Sequence, residues 1–498
     1  MRSDEIVDVL VIGSGMGGAT FAAGLAPSGA KIVILERGER LVDSDAVRDP
    51  RAIFQRGHFR PQESWLDGVG RPFNPGNYYY VGGNSKLYGA VLIRYRSQDF
   101  QPIEHLGGAT PGWPFPYEEL EPWYGKAEAL YGVRGRLGED ATEPPHSQAF
   151  PHPPVPDEPA IAAVRARLKR VGLNPFSLPL GIDIERWLKR APTTWDAFPD
   201  AGHGKMDAES GGLAEALRFP NVELRTGVRV ERLILAGDGK RIEGVEAVSD
   251  GERILIRAKL IVVAAGAVNT AALLLRSGEN GVANRSDKVG RHFMNHNCSA
   301  VLAVDPRTVN DSVYQKTLGV NDFYLSDGKG GPPLGNIQLL GRVTAPILKS
   351  NLTWAPEAAL GVLSRRTVDW YAMSEDLPNP ESRVTIEADQ IRLDWKRSNW
   401  EAHRGLVSAF KERLRAAGYP IVLSQPFDRR TPSHQCGTVR LGVDPLEAPV
   451  DPFGRAFDHP NLFVIDASLL PTSAAVNPSL TVAALALRAA DHVANNDL

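Results

Sequence analysis

The chain has 498 residues, 43 % of them hydrophobic and 23 % charged, with 56 Lys plus Arg against 59 Asp plus Glu for a formal net charge of −3. That length suits two or three folding units or one large two-lobed enzyme, and the near-balance of charge argues against a nucleic-acid binder, which relies on a cationic face. The two cysteines, Cys298 and Cys436, lie far apart without CxxC or Cys/His ligand spacing, which argues against a disulfide framework or structural zinc and for a reducing compartment.

The N-terminus, MRSDEIVDVLVIGSG, has no basic stretch feeding a long apolar run, so it does not read as a signal peptide. The longest apolar runs, such as Leu260 to Val268, are shorter than the roughly 20 residues that cross a bilayer. The expectation is a soluble, cytoplasmic protein. Residues 7–12 form a short apolar run that predicts a buried strand, residues 16–29 carry small residues at helical spacing, and residues 31–35 predict a second strand. Between the first strand and the helix stands Gly13-Ser14-Gly15-Met16-Gly17-Gly18, a GxGxxG. Gly13 permits a tight turn, Gly15 lets the backbone approach a pyrophosphate, and Gly18 lets the helix pack on the strand. The helix start offers free N–H groups to the anion. Glu36 ends the second strand about 20 residues beyond Gly15, where a ribose-binding carboxylate belongs. The order is a βαβ dinucleotide unit, and at this step NAD and FAD both fit it.

Prolines at 144, 145, 151, 153, 154, 156 and 159 rule out a long helix or central strand there. An irregular crossover between lobes is expected, then a short amphipathic helix over 160–171. Residues 220–265 alternate apolar and polar, predicting a small antiparallel sheet that feeds one buried strand, LIVVAA. Residues 296–400 are strand-rich, 401–417 return to a helical pattern, and Ser479 to Val493 predicts a terminal helix. The two ends of the chain thus form one lobe interrupted by a second.

Four segments carry a family resemblance from end to end: VIGSGMGGA with the later LERG; YVGGNSKLYGA from Tyr80 to Ala90; AAGAVNTAALLLRSG at 264–278; and the pair HQCGT at 434–438 and VIDASLLPTSAAVNPSLT at 464–481. With these the chain resembles the glucose–methanol–choline (GMC) oxidoreductases, nearest in look to the pyranose oxidases and glycoside 3-oxidases. The resemblance implies an α/β fold: a discontinuous Rossmann-like FAD lobe (1–100, 205–295 and 430–498) and an α+β substrate lobe on an antiparallel sheet (101–204 and 296–429). It implies FAD rather than NAD, with contacts from Gly13, Gly15, Gly18, Glu36, Gly82, Gly83, Asn84, Val230, Ala265, Gly266, Asp466 and Ala467. Some pyranose oxidases tie FAD to a histidine after the paired glycines. The matching position is Leu87, which cannot form that bond, so the expected FAD is non-covalent.

On the same match His434 is the base and Asn477, 43 residues on, positions the substrate oxygen. Histidine suits proton abstraction near neutral pH, and the flavin takes the hydride from the alcohol carbon. The NP dipeptide leaves Ser479 at a helix start, whose N–H groups would face the flavin. The expected substrate is a small alcohol, preferably a sugar or glycoside hydroxyl, with O2 or another electron acceptor. No nucleic acid, membrane or metal is expected, and the oligomeric state stays open. His292 and His296 read as structural histidines, Cys436 as a small buried side chain, and Lys86 as either a charge near the flavin or a solvated surface lysine. Tyr78, Tyr79, Tyr80, Trp370 and Tyr371 are either a sugar-stacking wall or strand packing. The competing readings are a non-sugar alcohol oxidase or dehydrogenase, an NAD(P)-linked flavin reductase, for which no second GxGxxG is present, and a non-catalytic flavin-binding protein, against which the His434/Asn477 pair speaks.

Overall fold

A computed structural model describes residues 6–190, 193–196, 198–428, 431 and 434–498. The apolar run Ile6–Ile12 is the strand around which the first sheet is built. It pairs in parallel with Ile32–Leu35 on one side and with Glu252–Val263 on the other. Val222–Arg225 extends the sheet beyond Ile32–Leu35, also in parallel. The strand Glu252–Val263 is 12 residues long and uses one edge twice. Its first part pairs antiparallel with Ile242–Ser249, which continues to Val228–Leu235. Its last residues, Ile261 to Val263, pair in parallel with Leu462–Val464. The expected βαβ unit and small antiparallel sheet are therefore parts of one seven-stranded sheet.

The parallel strands all end at one edge, as in doubly wound sheets. Gly13, Ala264 and Ile465 follow directly on three of them, so segments remote in sequence emerge side by side. Helix Met16–Leu25 lies on this edge at backbone contact distance: a Cβ on Gly17 would stand 1.9 Å from the Ile465 carbonyl oxygen. The terminal helix Ser479–Asn496 packs beside it, where a Cβ at Gly24 would meet Ala490 at 2.9 Å.

The second sheet is antiparallel and six-stranded, in the order Ile421–Pro426, Asn297–Val304, Thr367–Ser374, Asn336–Leu339, Leu318–Val320, Pro175–Ser177. Its strands alternate by the period of two that the pleat imposes. Ile337, Leu339, Trp370, Ala372, Val301 and Ala303 share one apolar cluster with Leu406, Phe410 and Leu414 of helix Trp400–Ala416. Asn336 and Gln338 belong to the opposite face, with Gln338 in register with Tyr371. One strand, NIQL, thus serves both the core and a buried polar surface.

The proline-rich stretch is irregular, and the helix after it begins at a proline, Pro159–Arg170. Trp65–Asp67 pairs with Gln390–Asp394 in a small four-stranded sheet that links distant parts of the chain. No described helix is long and apolar enough to cross a membrane. Because the Gly17 contact is backbone on backbone, Gly17→Ala is expected to lower stability by about 1–3 kcal/mol, measured as a lower urea midpoint at an unchanged denaturant slope.

Candidate active site

The glycine turn builds the first part of the site. Gly13 has φ +105°, and a Cβ there would stand 2.3 Å from the Ala264 carbonyl, so only glycine fits. At Gly15 and Gly266, by contrast, a Cβ would meet nothing within 4 Å. Gly266 is the N-cap of helix Ala267–Arg276, and Gly15 is the N-cap of helix Met16–Leu25, whose first turn carries no acidic side chain. Gly83 closes on the same place, with its Cβ position 3.4 Å from the Gly15 Cα. First-turn N–H groups without helical partners, a helix dipole and glycine backbones with room beside them suit an anionic pyrophosphate.

Ser14 ties this turn together. Its hydroxyl donates to Glu36 Oε2 at 2.6 Å and accepts from the Gly82 N–H at 3.0 Å. The backbone N–H of Ser14 donates to the same carboxylate oxygen at 3.1 Å, and the Gly38 N–H donates to the other at 2.9 Å. Burial pushes the Glu36 pKa up, against the pull of those hydrogen bonds. The Oε1 atom, with its single donor, has a lone pair left for a ribose hydroxyl. Asp466 is used differently. Its Oδ2 accepts from the Gly266 N–H at 2.9 Å and the Thr270 hydroxyl at 2.5 Å, and its Oδ1 accepts from the Ser468 N–H at 2.8 Å. The side chain of Asp466 therefore joins two loops. The Ala467 carbonyl accepts from the Gly437 N–H at 3.1 Å, which links this loop to the HQCGT segment.

The second part of the site comes from the HQCGT and AVNP segments. Met294 and Cys436 exchange backbone hydrogen bonds, each 3.0 Å long, as an antiparallel bridge. Two residues outward from that bridge on each segment stand His296 and His434, which such a bridge brings opposite each other. Their Nδ1 atoms are 2.9 Å apart and their rings cross at 78°. His296 Nε2 meets the Ala474 carbonyl at 2.6 Å and the Ser473 carbonyl at 3.1 Å. His434 Nε2 is 3.3 Å from Asn477 Nδ2, and Asn477 Oδ1 accepts from Gln338 Nε2 at 2.9 Å. Burial lowers the His434 pKa well below the usual value, helped by His296 and by Lys316, which is itself paired with Asp196 at 2.5 Å. Burial lowers His296 to about 4. Both imidazoles are neutral near pH 7, as a proton acceptor requires.

His434 has φ +66° and Ala474 φ +49°, left-handed conformations that side-chain-bearing residues seldom adopt. Such strain persists where the surroundings over-determine the backbone. Here the Met294 bridge holds one segment, and a hydrogen bond from the Ala474 N–H to Glu375 Oε1 at 2.9 Å holds the other.

The remaining expected residues fall as follows. Gly82 and Gly83 face the turn at 13–18, and Ala265 donates its N–H to Thr270 Oγ1 at 3.1 Å. Asn84 uses its Oδ1 to accept from the Tyr78 N–H at 2.8 Å. Val230 is a sheet residue paired with Ala247, two residues beyond Val228, whose N–H donates to the Glu36 carbonyl at 2.9 Å. Gly18 packs on the turn itself: its Cβ would lie 2.0 Å from the Gly13 carbonyl. Lys86 is neither a surface lysine nor free to meet an anion. It is buried, paired with Asp207 at 3.0 Å and with Glu209, and donates to the Asp200 carbonyl at 3.1 Å. Trp370 packs under Phe410 in the core, and Tyr371 donates its hydroxyl to Cys298 Sγ at 2.9 Å. Tyr79 carries Arg37 over its ring at 3.7 Å. His296, expected to be structural, stands directly against His434. Ser14, Gln338 and Lys316 were also missed. A serine inside a glycine motif and single polar residues in β-strands carry no spacing signal, but the N-Q alternation at 336–338 was a readable sign of a polar sheet face. Among the described residues no group of three His, Cys, Asp or Glu side chains could hold a metal ion.

Comparison with known proteins places the chain in a family. Two family profiles described as GMC oxidoreductase match residues 193–298 and 378–486, and one described as an NAD(P)-binding Rossmann-like domain matches residues 11–57. The chain is 30 % identical to 6'''-hydroxyparomomycin C oxidase of Streptomyces lividus over 99 % of its own length and 92 % of that protein. It is 28 % identical to C-glycoside 3-oxidase of Microbacterium trichothecenolyticum, over 98 % and 96 %. Its fold matches the crystal structure of pyridoxine 4-oxidase from Mesorbium loti with a TM-score of 0.69, at 21 % identity, over 99 % of this chain and 100 % of that one. The chain belongs to the GMC oxidoreductases and is an FAD-dependent enzyme that oxidises CH–OH groups.

Proposed function

We propose that this enzyme oxidises a hydroxyl of a sugar or glycoside, with His434 as the base and Asn477 as the group that orients the substrate oxygen. The observation that carries this reading is the pair itself: a half-buried, neutral imidazole whose Nε2 lies 3.3 Å from the Asn477 amide nitrogen. Bound FAD supplies the hydride acceptor. Residues of the chain supply the rest. A substrate hydroxyl placed between the two side chains donates its proton to His434 Nε2 and accepts a hydrogen bond from Asn477 Nδ2. Gln338 holds Asn477 by its Oδ1, so the amide nitrogen faces the reaction. Loss of that proton raises electron density on the carbinol carbon and favours hydride departure.

The substrate class is supported by two features. The sheet face behind Asn477 is polar, with Asn336, Gln338 and Tyr371 in adjacent register, which suits a molecule rich in hydroxyl groups. The relatives include one named for a glycoside and one named for 6'''-hydroxyparomomycin C. Non-covalent FAD is part of the same proposal, because Leu87, which ends the turn Gly83–Leu87, offers no atom for a flavin linkage. A cytoplasmic location is also proposed, supported by two buried cysteines outside any disulfide.

Anaerobic flavin bleaching across sugars, glycosides and simple diols tests the substrate class: bleaching by diols but by no sugar or glycoside would overturn it. His434→Ala should slow flavin reduction about 10²–10⁴-fold while FAD stays bound, and near-normal reduction would remove His434 from the mechanism. The depressed His434 pKa sets the sign of the pH dependence. The neutral base is present above that pKa and lost as pH falls through it. His296 and Lys316 are the titrating and charged groups that face it. Flavin reduction should therefore hold its plateau down through an ordinary imidazole value of about 6.5, with the acid limb below. Acid precipitation of the yellow protein should leave all flavin colour in the supernatant, and colour in the pellet would contradict dissociable FAD.

A further inference from the structure

His434 is the meeting point of two hydrogen-bond chains whose far ends can only accept. The first begins at the Ala474 carbonyl. It lies 2.6 Å from His296 Nε2, and a carbonyl has no proton to give, so that nitrogen carries the hydrogen. His296 is 2 % exposed and neutral, so its Nδ1 is bare. A bare nitrogen 2.9 Å from His434 Nδ1 must accept, and His434 must donate through Nδ1.

The second chain begins at Asp140, a carboxylate paired with Arg96. Asn321 Nδ2 donates to Asp140 Oδ2 at 2.7 Å, which turns Asn321 Oδ1 toward Asn336 Nδ2, also at 2.7 Å. Asn336 Oδ1 then accepts from Gln338 Nε2 at 3.1 Å, and the same Nε2 donates to Asn477 Oδ1 at 2.9 Å. Each amide fixes the flip of the next. The last, Asn477, is left with its Nδ2 toward His434 Nε2, 3.3 Å away, and a donor facing that nitrogen requires it to be bare. Asn321, Asn336 and Gln338 are each at most 4 % exposed, so water does not compete for these roles.

The two chains start from unrelated groups and demand the same tautomer. We propose that His296 is a positioning residue which, with the Asp140–Asn321–Asn336–Gln338–Asn477 amide chain, holds His434 protonated on Nδ1 and bare on Nε2, so that Nε2 keeps the lone pair that takes the proton once a substrate hydroxyl replaces the Asn477 contact. His296 does not touch the reacting atoms. It acts through His434, as an orienting partner fixes the tautomer of a catalytic imidazole. The inference rests on the reading of His434 as the base, and it adds the reason why that base faces the right way.

The test uses the FAD-loaded enzyme labelled with 15N-histidine, with His434→Ala identifying the His434 signals. The wild type should show His434 Nδ1 as the protonated nitrogen and Nε2 as the bare one. His296→Leu should move the proton toward Nε2 and slow flavin reduction roughly 10–100-fold. His296→Gln, whose carbonyl can accept from His434 Nδ1 and whose amide can donate to Ala474, should recover most of that rate and keep the wild-type tautomer. A wild-type His434 protonated on Nε2 overturns the proposal, and so do Leu and Gln variants that are slowed alike. The nitrogen shifts read the tautomer whichever group proves to be the base. A fast His434→Ala enzyme sinks the base reading alone, whereas a slow His434→Ala enzyme with a normal His296→Leu enzyme sinks the positioning role alone.

Discussion

Two backbone hydrogen bonds between Met294 and Cys436 are the constraint on which the site depends. They join a segment at the start of the antiparallel sheet to one that follows it by well over a hundred residues. Antiparallel pairing gives side chains a fixed opposite number. With Met294 against Cys436, His296 has no place but opposite His434. A slip of one residue would turn every side chain of the bridge to the other face and separate the two imidazoles. Gly437 protects that register: at φ +87° a Cβ there would meet the His292 carbonyl at 2.6 Å.

The two sheets meet at this bridge with different chemistry. The parallel sheet ends in glycine-rich loops braced by Ser14, Glu36 and Asp466, and the first turn of helix Met16–Leu25 keeps N–H groups without helical partners, which suits an anionic cofactor. The antiparallel sheet contributes side chains, because alternate residues of its strands leave the apolar core under helix Trp400–Ala416 and form a second, polar surface. Buried amides are costly unless every donor and acceptor is matched. The chain from Asp140 to Asn477 meets that demand by passing one hydrogen bond on to the next, and a satisfied buried network is rigid.

Burial also sets the electrostatics. His434 and His296 lose their affinity for a proton mainly because water cannot solvate the charged forms, and the Lys316 ammonium adds to this at His434. The Asp196 carboxylate beside Lys316 keeps that cation from standing unpaired in the interior. The outcome is a base that is available at neutral pH and placed by packing. The left-handed backbones of His434 and Ala474 are part of the cost, offset by the many contacts that hold both segments.

Much of this was legible along the chain. Motifs in which spacing is the chemistry, such as GxGxxG with Glu36, survive as local patterns because the backbone that they specify is local, whereas His434 and Asn477 were singled out only by the resemblance of their segments to a family. The proline-rich connection, the helix from Ser479 and the parallel strands were legible for the same reason, since periodicity and proline act within a few residues. What only the tertiary structure decided was which remote side chains come within hydrogen-bonding distance. No spacing rule relates His296 to His434, Gln338 to Asn477 or Lys86 to Asp207. Each of these pairs is set by strand register or loop packing, a long-range property of the whole chain, and hydrogen-bond polarity can be assigned only once both partners and the groups beyond them are in place.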